Sequence, residues 1–276
     1  MIGPYARLAA IPFAGAAAVA ALSLATGGGP LLWFGTQLAA QSLAAAGCLA
    51  AAAAFERRDF MFRAWLLSAI SFLLPVLNKL TSGPRGDWLV WRSAGAAHDV
   101  FYILAVNATA VVSAALFVAA FFRAGLVLGG SRARSVFDAA VVLLALGLGV
   151  PTLLRDVSDA LAAEGASQAF FEAVSVAGDT LCFVLVAPLF RIARRFRGGA
   201  LQWPWGLLAA SNLCWLFYDA AATGARVAGS DALRVASEVV LAVASLSALA
   251  AALAHRRVVA ESGAAAGRPV SRGALS

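Results

Sequence analysis

Between Arg7 and Glu56 the chain carries no charged side chain, a run of 48 residues from 8 to 55. A water-soluble domain, in which about one residue in four is charged, does not accommodate such a stretch. In a bilayer the same run is long enough for two crossings of roughly 20 residues each. Gly27-Gly28-Gly29-Pro30 lies in its middle, where a helix must break. Two spans are therefore predicted, near 4–26 and 31–54. Charge-poor segments recur near 60–80, 99–122, 136–155, 167–191, 201–222 and 231–256, giving eight in all. Asp138, Glu172, Asp179 and Glu238 interrupt or abut the fifth, sixth and eighth. Only helices and closed barrels satisfy the backbone in lipid, and nothing here alternates with period two. The expected fold class is an all-α integral membrane protein with eight transmembrane helices.

Composition agrees. Of 276 residues, 62% are apolar and 13% charged, which excludes an ordinary cytosolic enzyme, a disordered tail and a coiled coil. The net charge of +7 does not point to nucleic acid, because 20 of the 21 basic residues are arginines at segment ends, and Lys79 is the only lysine. Basic residues resist translocation, so their distribution sets orientation. With eight spans, 15 fall on the side of Arg57, Arg123, Arg191 and Arg256, and 6 on the side of Lys79, Arg85 and Arg226. Both termini are expected in the cytoplasm, with the protein multi-pass in a bacterial inner (plasma) membrane. Trp65, Trp203 and Trp205 are expected at the inner boundary, and Trp33, Trp88 and Trp91 at or near the outer one, where amphipathic rings prefer to sit.

An internal repeat is also visible. Ala64 to Lys79 aligns without gaps on Pro204 to Asp219, pairing Trp65 with Trp205, Leu67 with Leu207, Ala69 with Ala209, Ser71 with Ser211 and Leu73 with Leu213. Cys48 and Cys182 each precede the first arginine of the following loop by nine residues. The expectation is two four-helix membrane units, 1–126 and 130–258, related by an axis along the membrane normal. A cleaved signal peptide is the rival reading of the first helix. The repeat gives that helix a counterpart in the fifth and argues for its retention. Residues 259–276, small and rich in Gly and Ala, are expected to form a disordered cytoplasmic tail. Three cysteines in apolar stretches, without CxxC spacing, give no disulfide framework and no zinc site.

Polar residues inside a membrane are costly and usually face a bundle interior. Here they concentrate in the outer half. The first unit supplies amides, Gln37, Gln41, Asn78 and Asn107; the second supplies acids. Gln168, Glu172, Ser175 and Asp179, spaced 4, 3 and 4, share one helix face. Asn212, Trp215 and Asp219 form a second stripe, and Asp231, Arg234 and Glu238 a third. Such stripes can simply knit a bundle together. An ionised Asp179 near the bilayer centre, however, costs roughly 2.5–3.5 kcal/mol, which favours a function for it. The expected ligand or proton site comprises Glu172, Asp179, Asn212, Tyr218, Asp219 and Glu238, with Arg234 or Lys79 as the cation. Lys79 and Asp219 hold equivalent places in the two units, so they either bridge or snorkel to water.

No cofactor or metal is expected. His98 and His255 fall at opposite faces, HExxH is absent, and a retinal lysine would have to lie inside a helix. Neither histidine neighbours an embedded serine that it could activate. Asp179 and Asp219 invite comparison with intramembrane aspartyl proteases, but Tyr218-Asp219 follows Asp179, and Ala177-Gly178-Asp179 lacks the full GxGD. The leading expectation is a small-ligand sensor or accessory subunit, with an extracytoplasmic polar cavity and a cytoplasmic signalling partner besides the lipid bilayer. A proton-coupled secondary transporter ranks second and an intramembrane hydrolase third. The orientation is testable. With the native cysteines replaced, Ser135→Cys and Arg197→Cys should react only with a permeant thiol reagent, and cysteines within 82–97 with an impermeant one. External labelling in 192–199 would reverse the topology.

Overall fold

The computed structural model describes residues 3–82, 95–125, 132–163 and 165–266. Trp88 and Trp91 lie outside the described residues. Among those described, nine helical segments follow one another: α1 (Pro4–Ala9), α2 (Ile11–Thr26), α3 (Pro30–Ala52), α4 (Phe60–Ser82), α5 (Gly95–Arg123), α6 (Arg132–Ala163), α7 (Ala166–Arg195), α8 (Gln202–Ala228) and α9 (Asp231–Ala266). All eight charge-poor segments are helical, and no described residue is in a strand. Six of these stretches are long and apolar enough to cross a membrane: Pro4–Thr26, Phe60–Leu80, Phe101–Arg123, Val136–Ala162, Glu172–Arg195 and Asp231–Ser262. The helices outside that set, α3 and α8, are diluted by polar side chains such as Gln37, Gln41, Asn212 and Asp219.

Local sequence explains the boundaries. Pro12 falls in the first turn of α2, where a missing N–H costs nothing, and splits α1 from α2 at Ala10. Gly27, Gly28 and Gly29 all take positive φ (74°, 72° and 137°), a region closed to most side chains, and so turn the chain between α2 and α3. Pro30 then opens α3. α6 is longer than expected and runs through Asp156 and Asp159, which the sequence reading placed after the helix. α9 stays helical through Ala266, past the expected start of the disordered tail at 259. The reason is local: Glu261 accepts from Arg257 one turn back (2.6 Å) and from the Tyr5 hydroxyl (2.5 Å). That contact also puts the start of α1 and the end of α9 at the same end of the bundle, the arginine-rich one.

Six helices form a closed ring in which α3 packs on α4, α4 on α5, α5 on α7, α7 on α8, α8 on α9 and α9 on α3. α2 lies outside the ring against α9, and α6 lies outside it against α7 and α8. Burial follows position. In α9, 67% of the most apolar window is buried, against 17% in Pro4–Thr26 and 22% in Val136–Ala162. The exposed faces of α2 and α6 carry Phe13, Leu24, Leu143 and Leu154, apolar surface that water does not favour.

Small residues let the ring close. Ala244, Ala248, Ala251 and Ala252 of α9 are buried, as are Ala44, Ala45 and Ala51 of α3. A Cβ at Gly47 would sit 2.5 Å from the Leu249 side chain and 3.4 Å from its Cα. Between α5 and α7 the approach is closer still: a Cβ at Gly178 would overlap the Asn107 amide oxygen and lie 2.6 Å from its Cγ. Gly178→Ala should therefore destabilise the protein by about 1–3 kcal/mol, as overpacking does. Asn107→Ala in the same chain should restore most of the loss, and Gly35→Ala, where a Cβ meets nothing within 4 Å, should be near neutral. Thermal unfolding in detergent reads all three.

Candidate functional site

A cavity of about 220 Å³ lies inside the ring, lined by residues of α3, α4, α5, α7, α8 and α9. That is room for a small molecule or a cluster of waters, since one water needs only about 10–15 Å³ by this measure. Its two ends differ. Toward the arginine-rich end the lining is mostly apolar, with Phe117, Val186, Leu208 and Ala248 beside the hydroxyls of Ser68 and Ser113. Toward the opposite end it carries Gln41, Lys79, Asn107, Asp179, Tyr218 and Asp219.

Of the expected site residues, Lys79, Asp179, Asn212, Tyr218 and Asp219 meet around this one cavity. The Asp179 and Asp219 carboxyl groups interact directly, although they lie on different helices. One oxygen of Asp219, Oδ2, is buried and has no hydrogen-bond partner in the chain. Glu172, about two turns before Asp179, adds its charge to the field at Asp219. Glu238 stands behind the α3 wall, where both its oxygens accept from the Gln37 amide (2.7 and 2.6 Å). The Gln168 side chain lies outside what the structure describes.

Two expectations need correction. Arg234 does not reach the acids: it pairs with Asp231 on its own helix, and its guanidinium lies 4.8 Å over the Trp33 ring. Three residues separate Arg234 from Asp231, so the pair closes along the helix surface before the side chain can turn inward. Lys79 does not bridge to Asp219 either. Its ammonium donates to Gln41 Oε1 at 3.0 Å and also feels the charge of Glu238, so α3 and α9 hold it.

The sequence reading also passed over a buried joint at the same end. Asp156 of α6, 3% exposed, accepts from the Thr223 hydroxyl (2.8 and 2.9 Å) and from Arg226 (2.8 Å) on α8. The hint in the sequence was the apolar periodicity that continues past Arg155. Gln41 and Asn107 of the first unit line the cavity beside the acids of the second, so the site is shared between the halves instead of belonging to one.

At the arginine-rich end an aromatic floor closes the cavity. Trp65 and Trp205, expected at the lipid interface, are fully buried in the core instead. The Trp65 indole N–H donates to His255 Nδ1 at 2.8 Å, and this buried acceptor draws the ring inward. Phe117 meets Trp65 edge-on at 4.9 Å, Trp205 meets Phe121 at 4.6 Å, and the His255 ring lies 4.7 Å from Trp205. Above the floor, Ser113 donates to the Ala64 carbonyl (2.8 Å), so in its 2.7 Å contact with Ser68 the hydrogen comes from Ser68.

Among the described residues, no group of three or more His, Cys, Asp or Glu is placed to hold a metal ion. No family model, curated protein or solved structure matches the chain. The floor itself is open to test. His255→Phe keeps the ring volume but leaves the Trp65 N–H unpaired, and should cost about 1–3 kcal/mol in thermal unfolding. Adding Trp65→Phe removes the orphaned donor and should return part of that loss, a coupling that a double-mutant cycle measures.

Proposed function

We propose that this chain is an eight-span plasma-membrane protein that binds a small ligand from the extracytoplasmic side and passes the signal to a cytoplasmic partner. The single observation that carries the reading is the cavity, polar at one end and floored by aromatics at the other. The polar end is the one away from the arginines, which the positive-inside rule makes the outer end. The contact between Tyr5 and Glu261 agrees with an even number of crossings and both termini inside. A bacterial inner membrane is the setting that this composition and helix count suit.

The two-repeat reading gains support from the cavity wall. Each α4 residue that lines the cavity has a partner 140 positions later that lines it too: Ser68 and Leu208, Ser71 and Ser211, Phe72 and Asn212, Pro75 and Trp215, Lys79 and Asp219. Gln41 and Ser175, and Cys48 and Cys182, repeat with a spacing of 134. The floor obeys the same two spacings, since Trp65 meets His255 and Trp205 meets Phe121. The ring order α3, α4, α5, α7, α8, α9 also maps onto itself when α3 is exchanged for α7, α4 for α8 and α5 for α9. These relations favour parallel units whose shared axis runs through the cavity.

A second reading, the proton-coupled transporter, is favoured by the Asp179–Asp219 pair. Transporter coupling sites commonly lie near the midplane between repeats. Two adjoining carboxyls readily share one proton, because both ionised would repel. An aspartyl hydrolase needs such a pair as well, which keeps that third reading, although the motif order is reversed.

Two measurements separate these readings. In a chain with no other cysteine, Ser175→Cys should react with a small impermeant thiol reagent added outside and not with the same reagent added inside. Labelling from the inside alone overturns the outward cavity. In proteoliposomes under an imposed pH gradient, the receptor reading expects no proton flux. Flux that Asp179→Asn abolishes would establish the transporter in its place.

A further inference from the structure

We infer that the cavity takes a small organic monocation, an ammonium group on a short apolar or aromatic body, with the ammonium seated at Asp179 and Asp219. This rests on the ligand-binding reading above and names its chemical class.

The first argument is charge. Among the described residues lining the cavity, Lys79 is the only base and Asp179 and Asp219 are the acids. Lys79 is already held by Gln41 and faces Glu238. Arg226 and Arg234 are committed elsewhere, to Asp156 and to Asp231. Among the described residues, the carboxyl pair is thus the charged group in the wall without a cation of its own, and Glu172 adds to its negative field. With one proton shared between its two carboxyls, the pair carries one negative charge, which a monocation matches.

The second argument is hydrogen-bond supply. Four donors of the wall are spent on the protein itself. Asn107 donates to the Ile103 carbonyl and Asn212 to the Leu208 carbonyl, both at 2.9 Å. Ser211 donates to the Ala244 carbonyl and Ser71 to that of Ser68, both at 2.8 Å. Acceptors remain, above all Asp219 Oδ2, buried and unpaired. A ligand that donates is satisfied here, whereas a carboxylate or phosphate would be set against the two acids. An unmet buried acceptor costs about 1–3 kcal/mol, so filling it favours the donor-bearing ligand.

The third argument is shape. Trp215 stands between Phe72 (ring centroids 6.3 Å apart) and Tyr218 (5.8 Å), and all three line the cavity beside the acids. Ring faces near a carboxylate pair are the surroundings that bind ammonium groups, through the ring quadrupole as well as the charge. Deeper in, the wall turns apolar down to Phe117, which suits a hydrocarbon body and leaves the charged head at the outer end.

Calorimetry on the purified full chain in lipid nanodiscs tests this with three probes of one shape: benzylamine, benzyl alcohol and benzoate. On the unmodified protein, benzylamine should bind at least about tenfold more tightly than benzyl alcohol, and benzoate more weakly than either. Asp219→Asn should weaken benzylamine at least about tenfold and benzyl alcohol by clearly less, since the alcohol loses no charge pairing. Arg234→Ala, outside the cavity, should alter neither. The ranking needs no variant, so it stands even if Asp219→Asn fails to fold. Benzoate or benzyl alcohol equal to or tighter than benzylamine overturns the monocation but leaves a ligand-binding cavity. Silence from all three probes also overturns it. If Ser175→Cys is then closed to external reagent, the cavity reading falls too.

Discussion

How closely two helix backbones can approach decides the rest of this fold. Within lipid, apolar side chains gain nothing by leaving hydrocarbon for protein, so association rests on close packing and on polar groups that bond across helices. α9 meets that condition with alanines on the faces it turns to α3 and α8. Gly47 admits Leu249 on one side of the ring and Gly178 admits Asn107 on the other. With bulkier residues at these points the ring would open. The carboxyls of α7 and α8 would then no longer meet each other opposite the amides of α3 and α5.

Because the ring is closed by small residues, its polar groups do not carry the association and are free to line a space. Bonds between helices fasten both ends: Gln37 with Glu238 and Asp156 with Arg226 at one, Trp65 with His255 and Asp138 with Arg191 (2.9 Å) at the other. Those along the wall, such as Ser211 to the Ala244 carbonyl and Lys79 to Gln41, join neighbours without filling the space. Between the two ends, Asp179 and Asp219 are left with one another. A bundle fastened at both ends and hollow between is a natural container for a small molecule.

Much of this was legible in the sequence, for physical reasons. The helical segments were visible because long apolar stretches admit almost no charge, and Gly27 to Pro30 can only turn. The stripe through Glu172 and Asp179 was readable because helical periodicity puts those residues on one face. Long-range partners were not. Trp65 and Trp205 looked interfacial because tryptophan beside arginine usually is, and nothing nearby announces His255, 190 positions further on. Arg234 looked like a partner for the acids because spacing gives its face but not its competition with Asp231. The sequence reading assigned the working site to the second half. It weighed amides against acids separately, whereas the ring interleaves the halves and brings Gln41 and Asn107 to the carboxyls.

α2 departs from the ring's regularity. It lies on α9, whereas α6, which stands at the same ordinal place in the other half, lies on α7 and α8. α2 therefore has its main packing surface on a helix that follows it by more than 200 residues. Until α9 is synthesised, Gly15 has no Leu246 to receive, and Tyr5 has no Glu261 to bond. α9 thus serves two structures at once, closing the ring with α3 and α8 on one side and docking α2 on the other. A chain cut before α9 loses both the wall of the cavity and the dock of α2. Enclosing the cavity and seating α2 are in this sense a single event, tied to one helix.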